Sequence, residues 1–287
     1  MVANYMSLTI SQITNGVGFP KAAELIEITG THALEASDRA IFNNLLQTAH
    51  DSGRLSEPDA EWEISLAALR RPASKHESND RIRESLRRLR RTEVKVTYIS
   101  ARTGKRRVME THLLEFTDTD EDESDTATLQ FGIPKRLRLV LARSNRWGRI
   151  RCEVAYAMTS KYAIALYEKL CLWANLDHCV RTLEVAEFRE MLGVPPGAYE
   201  RGLDFERKVI DPAVLEVNGL SDVGVQIEVQ RRHARAPIHG VTLSWWKKQG
   251  DEFRAAMQER NRSKVGRMAR LRGEVEKTAV VEKLAAG

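Results

Sequence analysis

The chain has 287 residues, of which 42% are hydrophobic, 30% charged and only 6% aromatic. This composition is typical of a soluble globular protein of about two domains, and it excludes a disordered or collagen-like chain. No apolar run approaches the roughly 20 residues that span a bilayer, and the first ten residues lack the pattern of an export signal. We therefore expect a cytoplasmic protein without a membrane partner.

The three cysteines, Cys152, Cys171 and Cys179, are an odd number without CxxC spacing or a nearby histidine pair. This pattern favours a reducing compartment and excludes a structural zinc site. The sequence predicts neither a metal nor a cofactor.

The net charge of +5 averages two opposite kinds of segment. The run from Asp118 to Asp125 contains six acids and no base, so the rest of the chain is strongly basic. This excess indicates a polyanionic partner, with nucleic acid ahead of a membrane surface, whereas a merely solvated basic surface is the alternative. The acidic run lacks the spacing and glycine of a calcium loop, so we expect a solvated insertion.

The first predicted domain, residues 21–148, follows an arm at residues 1–20 and begins with three helices. The first helix has Ser37 as its N-cap, and a second, short helix precedes a third that begins near Ser78 or Asn79. The third helix has one apolar and one cationic face. A strand, a basic turn at Gly104 and a strand from Arg107 to Phe116 follow. The predicted apolar positions of the three helices are Ile41, Phe42, Leu45, Leu46 and Ala49, then Ile64, Leu66 and Leu69, then Ile82, Leu86 and Leu89.

The second predicted domain, residues 149–248, repeats this order about 120 to 130 residues later, a spacing suited to two copies of one domain. It opens with a short strand at 152–157 and a helix that begins after Ser160. A helix at 183–192 ends at Gly193, and a third runs from about 199 to 218 with Pro212 as an interruption. Two strands joined by a basic loop follow, with Trp245 in the core, and residues 249–287 form a basic tail or frayed helix.

Three helices followed by a basic two-stranded hairpin are typical of a winged helix-turn-helix, whose third helix enters the DNA major groove while the hairpin lies on the backbone. The sequence therefore predicts an α+β fold with a tandem pair of winged-helix domains. The candidate DNA contacts in domain 2 are Ser160, Lys161, Tyr199, Arg201, Asp204, Arg207, Lys208, Arg231, Arg232 and Arg235. Those in domain 1 are Lys75, Arg83, Arg87, Arg88, Arg91, Arg102, Lys105 and Arg106.

Within the third helix of domain 2, Arg201 and Lys208 suit guanine N7 and O6, and Asp204 suits cytosine N4. The alternative is that Asp204 pairs with one of these cations on the helix surface. Ser160 and Lys161 at a helix start suit a phosphate, bound through the hydroxyl, the ammonium and free backbone amides.

Three segments carry a family resemblance: Thr159-Ser-Lys-Tyr-Ala-Ile-Ala-Leu-Tyr167, Val185-Ala-Glu-Phe-Arg-Glu-Met-Leu-Gly193, and Phe205-Glu-Arg-Lys-Val-Ile-Asp-Pro-Ala213 with Val217-Asn218. Residues 155–245 resemble the replication initiator proteins of iteron-containing plasmids. The first half resembles the N-terminal winged-helix domain of that family through its helix order and the 82–89 segment. The acidic run and the basic tail depart from the family pattern.

The resemblance implies a bacterial protein that binds direct repeats at a plasmid origin, opens the adjacent AT-rich duplex and recruits host replication proteins such as an initiator or a helicase. It also implies autorepression as a homodimer formed through domain 1, and initiation as a monomer. Ser160, Lys161, Arg201, Arg207 and Lys208 fall in the segments that the family uses on DNA.

Two other functions compete with this interpretation. A two-domain winged-helix transcriptional repressor would use the same DNA chemistry without initiating replication. A nicking enzyme or an ATPase is disfavoured, because the sequence lacks GxxxxGK[ST] and a His-x-His pair beside a tyrosine nucleophile. We therefore expect no enzymatic activity.

Overall fold

The computed structural model describes residues 8–70, 78–121, 126–174, 178–234 and 236–274. The candidate contacts Lys75 and Arg235 lie outside the described residues, as do part of the acidic run and the end of the basic tail. No helix in the described part of the chain is long and apolar enough to span a membrane.

The first half of the chain contains short strands and helices around one long helix. In chain order they are β1 (Phe19–Ala22), α1 (Ala23–Ile26), α2 (Ala36–Asp51), β2 (Trp62–Ser65), α3 (Leu66–Leu69), α4 (Asn79–Arg91), β3 (Glu93–Ile99), β4 (Arg106–His112), β5 (Phe116–Thr119), β6 (Thr128–Gly132), α5 (Lys135–Arg143) and β7 (Trp147–Ile150).

The second half contains the remaining elements. They are α6 (Cys152–Ala157), α7 (Lys161–Trp173), β8 (Val180–Glu184), α8 (Val185–Leu192), α9 (Gly202–Phe205), a π-helical turn (Glu206–Ile210), α10 (Asp211–Leu220), β9 (Val223–Arg231), β10 (Ile238–Lys247), α11 (Gly250–Asn261) and α12 (Arg267–Leu271).

The predicted apolar faces are the core of the protein. All five predicted stripe residues of α2 and all three of α4 are buried. Trp245 is also in the core, with its ring 5.2 Å from that of Trp173. Several predicted element types and boundaries were wrong. Glu35, not Ser37, caps α2 through a capping box with Asp38, and residues 152–157 form a helix rather than a strand.

Two three-stranded antiparallel sheets confirm the tandem winged-helix architecture. In domain 2 the sheet order is β8–β10–β9, and in domain 1 it is β2–β6–β5. In each unit the first strand is followed by a short helix and then by the third helix. Residues Ile64 and Leu183, which we predicted to be helical, therefore lie in the first strands β2 and β8.

The matching strand orders correct the predicted wing of domain 1. Since β5 and β6 occupy the places of β9 and β10, the hairpin that corresponds to the domain 2 wing is β5–β6, whose loop holds most of the acidic run. The basic hairpin β3–β4 is a separate two-stranded sheet inserted after α4, and it has no counterpart in domain 2. Sequence alternation predicts strands but not which strands pair, so the basic hairpin was misidentified as the wing.

Helix α7 packs against both units. It contacts α2 and β7 on one side and α10 and α8 on the other. On the domain 1 side, the Lys21 ammonium of β1 lies 2.8 Å from the Glu168 carboxylate of α7 and donates to Asn43 Oδ1 of α2. Asn43 in turn donates to Glu168. All three side chains are buried, and burial lowers the pKa of Lys21 although Glu168 opposes this shift.

Both ends of the chain fold back where the structure describes them. Ile10 is buried and its amide donates to the Ser144 carbonyl, so residues 8–20 are not a free arm. The tail contains the two helices α11 and α12, and Arg267 of the tail is only 2% exposed. The charged tail is therefore helical, as predicted, but up to residue 274 it is packed on the protein and not frayed. Composition does not show that Glu259 binds Arg267 and Arg270, or that backbone carbonyls bind Arg267.

Candidate nucleic-acid interface

The third helix of domain 2 presents a cationic outer face. Segments α9, the π turn and α10 form one continuous helix from 202 to 220, because Phe205, Glu206, Ile210 and Asp211 all keep right-handed helical backbone angles. Arg201 at its N-cap is exposed, as are two further candidates, Arg207 and Lys208. In the described part of the chain, the Arg201 and Arg207 guanidinium groups make no hydrogen bond or ion pair.

The π turn explains how this helix tolerates Pro212. Proline has no N–H to donate to the carbonyl four residues earlier, and its ring clashes with that carbonyl in a regular α-helix. At about 100° per residue, Ala213 and Val217 would lie about 80° and 120° away from Phe205 in an uninterrupted helix. The additional residue of the π turn subtracts about 100°, so all three share one buried stripe. The turn thereby keeps the apolar stripe in the core and Arg207 and Lys208 outside.

Lys208 and Asp204 form the surface ion pair that was the alternative to base contact. The Lys208 ammonium lies 3.1 Å from the Asp204 carboxylate, and the two side chains are 60% and 40% exposed. An exposed i,i+4 pair of this kind contributes about 0.3–0.5 kcal/mol. A bidentate base contact contributes about 1–3 kcal/mol, so the pair does not prevent Lys208 from binding DNA.

Arg231 and Arg232 of the domain 2 wing differ in whether their guanidinium groups are already bound within the protein. Arg231 donates to the Glu206 carboxylate of the third helix and to the Ala236 carbonyl, and a Cβ atom on Gly202 would lie about 3 Å from its guanidinium. Arg231 therefore fixes the wing to the third helix and is already neutralised. Arg232 is exposed, and its guanidinium makes no hydrogen bond or ion pair among the described residues.

The start of α7 differs from the expected open phosphate site. Ser160 caps the helix by accepting from the Ala163 amide, and the Lys161 ammonium donates to the His32 carbonyl at 2.7 Å. The amides of Thr159 and Ser160 both donate to the Glu216 carboxylate of α10, as does the Thr159 hydroxyl. The prediction of free amides was therefore wrong at Thr159 and Ser160, because a buried side chain from another helix already fills that position.

Tyr199 occupies the turn before α9 with φ of 53°, a left-handed backbone rarely adopted by aromatic residues. Arg189 of α8 holds this turn by donating to the carbonyls of Ala198 and Tyr199. The Tyr199 ring lies edge-on to that of Tyr162, 6.4 Å away. Burial and a hydrogen bond from this contact raise the pKa of Tyr162 to about 12. The turn that leads into the third helix is thus rigidly supported.

The third helix of domain 1, α4, is cationic in sequence but largely paired in structure. Arg88 forms a bidentate ion pair with buried Asp38 at 2.8 and 2.9 Å, which raises the pKa of the guanidinium. Arg87 pairs with Glu84, and Arg83 donates to the Asp120 carbonyl. Arg91 is exposed. Arg88 therefore joins α4 to α2 rather than pointing outward as predicted.

The basic hairpin of domain 1 projects its cations into solvent. The turn residues at 101–105 and Arg106 are all exposed, including the candidates Arg102, Lys105 and Arg106. Gly104 adopts φ of 65° and its amide donates to the Ser100 carbonyl, as the predicted turn requires. These cations belong to the inserted hairpin and not to the β5–β6 wing.

Three residues that support the third helix of domain 2 were missed by sequence reasoning. Glu216 binds the start of α7, as described above, and Asn218 accepts from and donates to the Val225 backbone of β9. The Lys248 ammonium donates to the carbonyls of Val217, Asn218 and Ser221 at the end of α10, and burial lowers its pKa to about 8. Asn218 lies in one of the segments that carry the family resemblance, but only the structure shows which backbone groups Glu216 and Asn218 bind.

No group of three or more His, Cys, Asp or Glu side chains is arranged to hold a metal ion in the described part of the chain.

Comparisons with known proteins agree with this architecture. A family model described as Initiator Replication protein, WH1, matches residues 20–171, and one described as Initiator Rep protein, WH2, matches residues 184–245. No curated protein sequence shows significant similarity to the chain. Among 21 matching chains of solved structures is the Pi initiator protein in complex with iteron DNA, which is 15% identical with a TM-score of 0.61. The match covers 83% of this chain and 100% of the Pi chain, and it shows a shared fold.

Proposed function

Because the chain belongs to the family of initiator replication proteins, we propose that it is a plasmid replication initiator that binds iterons, the direct repeats of its origin. Each winged-helix unit has a third helix of the kind that enters a major groove, and two units in one chain suit two successive grooves of one repeat. The likeness to an initiator whose structure was solved with iteron DNA supports the proposal.

The observation that carries the proposal is the outer face of the third helix in domain 2. Arg201, Arg207 and Lys208 are exposed on a helix whose other side is locked to α7 and β9. A rigid helix with exposed cations is what base readout requires, while Arg232 on the wing suits a backbone phosphate. We propose Arg201 and Lys208 as base contacts, Arg207 and Arg232 as phosphate contacts, and Arg231 as a positioning residue.

In domain 1 the exposed cations Arg91, Arg102, Lys105 and Arg106 are proposed as auxiliary contacts. The β5–β6 wing is unsuited to the DNA backbone, because its acidic run would be repelled by phosphates. We propose that the inserted basic hairpin takes over electrostatic attraction to DNA in this unit.

We further propose that the chain forms homodimers through the β3–β4 hairpin. In the described part of the chain, β4 pairs only with β3, so its outer edge has free backbone donors and acceptors. Ile99 and Val108 on the hairpin are 65% and 61% exposed. Antiparallel pairing of two β4 edges across a two-fold axis satisfies the backbone groups and places Val108 of β4 beside the partner's sheet.

The dimer proposal is tested by Val108→Lys, which places a charge on that edge. We expect a shift from dimer to monomer in analytical ultracentrifugation without loss of DNA binding by the monomer. Val180→Lys on β8 is the matched control, since Val180 is 59% exposed on an edge strand of the other unit. An unchanged dimer in Val108→Lys, or an equal effect of both variants, rules out this interface.

Opening of an adjacent AT-rich duplex, recruitment of host replication proteins and autorepression complete the proposed function. The proposal includes no enzymatic step, so purified protein is expected not to nick supercoiled origin DNA. These activities rest on the family membership and not on a separate site in the structure.

The decisive experiment is a footprint of the purified protein on the DNA that flanks its own gene, with random DNA as competitor. We expect protection of several direct repeats beside an AT-rich tract. Protection of one inverted repeat over a promoter would instead indicate a dedicated repressor. The absence of any protected site would refute specific DNA binding.

A further inference from the structure

The C-terminal helices α11 and α12 lie beyond both family-model matches, which end at residues 171 and 245. They pack on α10, the second part of the third helix in domain 2. The contact between α12 and α10 is close, because a Cβ atom on Gly219 would lie 2.2 Å from Leu271 Cδ2. Glycine at position 219 thus allows α12 to sit directly on the recognition helix.

The same C-terminal segment also binds α6. The Arg267 guanidinium donates to the Ala157 carbonyl at 2.9 Å, and the Lys264 ammonium donates to the Tyr156 carbonyl at 3.0 Å. Arg260 pairs with Glu153 on the same helix, with 3.5 Å between Nη1 and Oε1. Three cations spaced along the segment therefore hold α6.

Helix α6 in turn is fixed to domain 1. It packs along α2, and the Tyr156 hydroxyl donates to the Leu69 carbonyl of α3 and accepts from the Asn44 amide of α2. The C-terminal segment therefore contacts the recognition helix of domain 2 on one side and a helix bound to domain 1 on the other.

Arg267 is the central residue of this bridge. Its side chain is buried, and besides Ala157 it binds the carbonyls of Glu259, Arg260 and Arg262. These three carbonyls lie at the end of α11, so one guanidinium joins α11 to α6 at the point where α12 begins. A buried guanidinium of this kind has a fixed orientation, which suits a structural joint.

We propose that residues 250–271 form a strap that fixes the angle between the two winged-helix domains, with Arg267 as its positioning residue. Apart from the strap, the domains are joined by α7 and by the close approach of Gly193, at the end of α8, to Thr31 and Arg39. The strap adds an attachment through α6 and so restricts rotation of domain 2 about α7. This inference rests on the proposed function: a fixed angle lets both domains bind one repeat at once, so that binding of the second domain is intramolecular.

The strap is tested first without DNA. Asp59→Cys in domain 1 and the exposed native Cys179 in domain 2 carry spin labels, because Cys152 and Cys171 are buried. We expect Arg267→Ala to broaden the distance distribution between the labels. Arg254→Ala is the matched control, since Arg254 lies on α11, is 69% exposed and, among the residues that the structure describes, pairs only with Asp251. An unchanged distribution in Arg267→Ala overturns the proposal whether or not the protein binds iterons.

The second test measures affinity for two duplexes. One carries a repeat identified by the footprint, and in the other the half bound by domain 1 is randomised. Arg267→Ala is expected to weaken binding to the full repeat by about tenfold or more and binding to the half-repeat by less than about twofold. Equal losses on both duplexes, or no loss on the full repeat, overturn the proposal.

Gly219→Ala provides an independent variant in case Arg267→Ala does not fold. The added Cβ atom displaces the Leu271 side chain of α12 from α10 and leaves every hydrogen bond of Arg267 chemically possible, so a smaller preferential loss on the full repeat is expected. Failure of the wild type to bind any repeat would refute the proposed function, whereas the spin-label result would still decide the strap.

Discussion

Glu216 is expected to be the residue on which the position of the recognition helix in domain 2 most depends. Its carboxylate is 1% exposed and accepts from the Thr159 amide and hydroxyl and from the Ser160 amide. The substitution Glu216→Met keeps the length of the side chain but removes both carboxylate oxygens. The amides of Thr159 and Ser160 and the Thr159 hydroxyl then lose their acceptor.

The magnitude follows from these contacts. A donor without a partner costs about 1–3 kcal/mol when it is buried, and Glu216→Met leaves the two backbone amides without their acceptor. Loss of the negative charge near the N-terminus of α7 lowers the stability by a further amount of about 0.3–1 kcal/mol. Because the surrounding atoms relax, we expect the free energy of unfolding to fall by about 3 kcal/mol.

Urea denaturation of Glu216→Met at neutral pH measures this loss, with Glu200→Met as the control because Glu200 is an exposed carboxylate in the same part of the domain. DNA titrations on the folded variant should show weaker binding to the repeat than to random DNA, relative to wild type. A loss below about 1 kcal/mol, comparable to a surface substitution, would refute the assigned role.

Three further predictions concern the cations of domain 2. Arg201→Ala is expected to weaken binding to the repeat by about 1–3 kcal/mol with little effect on random DNA. Arg232→Ala should weaken binding to the repeat and to random DNA alike, and should reduce the slope of log affinity against log salt by about 0.9. Anisotropy titrations at several salt concentrations distinguish these effects, and identical behaviour of the two variants would contradict the assignment of Arg201 to bases and Arg232 to phosphates. Arg231→Ala should in addition lower the melting temperature, because it leaves Glu206 without its partner, while Arg232→Ala should melt like wild type. Burial depresses the pKa of Lys248 to about 8 in the folded state, so the unfolded state binds more protons between pH 8 and 10.5 and this residue makes stability rise with pH there. The free energy of unfolding of wild type should therefore rise, relative to that of Lys248→Met, by at most about 3 kcal/mol between pH 8 and 10.5. A difference between the two proteins that does not change with pH would refute the depressed pKa of Lys248.

The sequence predicted the helices best where they have a long apolar stripe. The periodicity of α2 and α4 identified their buried faces correctly, and Gly193 was recognised as the residue that ends α8. Short elements such as β2 and β8 were misassigned, because four or five residues do not distinguish a strand from a helical turn.

For the candidate interface, residue type was predictable but availability was not. Arginines are abundant in α4 and also occur on the third helix and the wing of domain 2. Arg88 of α4 is nevertheless bound by Asp38, which lies 50 residues earlier, and Arg231 of the wing by Glu206, 25 residues earlier. Arg201, Arg207 and Arg232 have no such internal partner among the described residues. No local pattern separates these two groups, because the partner is brought close only by folding.

The sequence by itself thus determined the two winged-helix units, the apolar stripes of their long helices and the family to which the chain belongs, because periodicity and local motifs act over a few residues. Only the tertiary structure decided that the acidic run lies on the wing of domain 1, that the basic hairpin is an insertion and that the C-terminal segment packs onto both domains. Strand order and ion pairing join residues far apart in the chain, so they depend on how the whole chain packs.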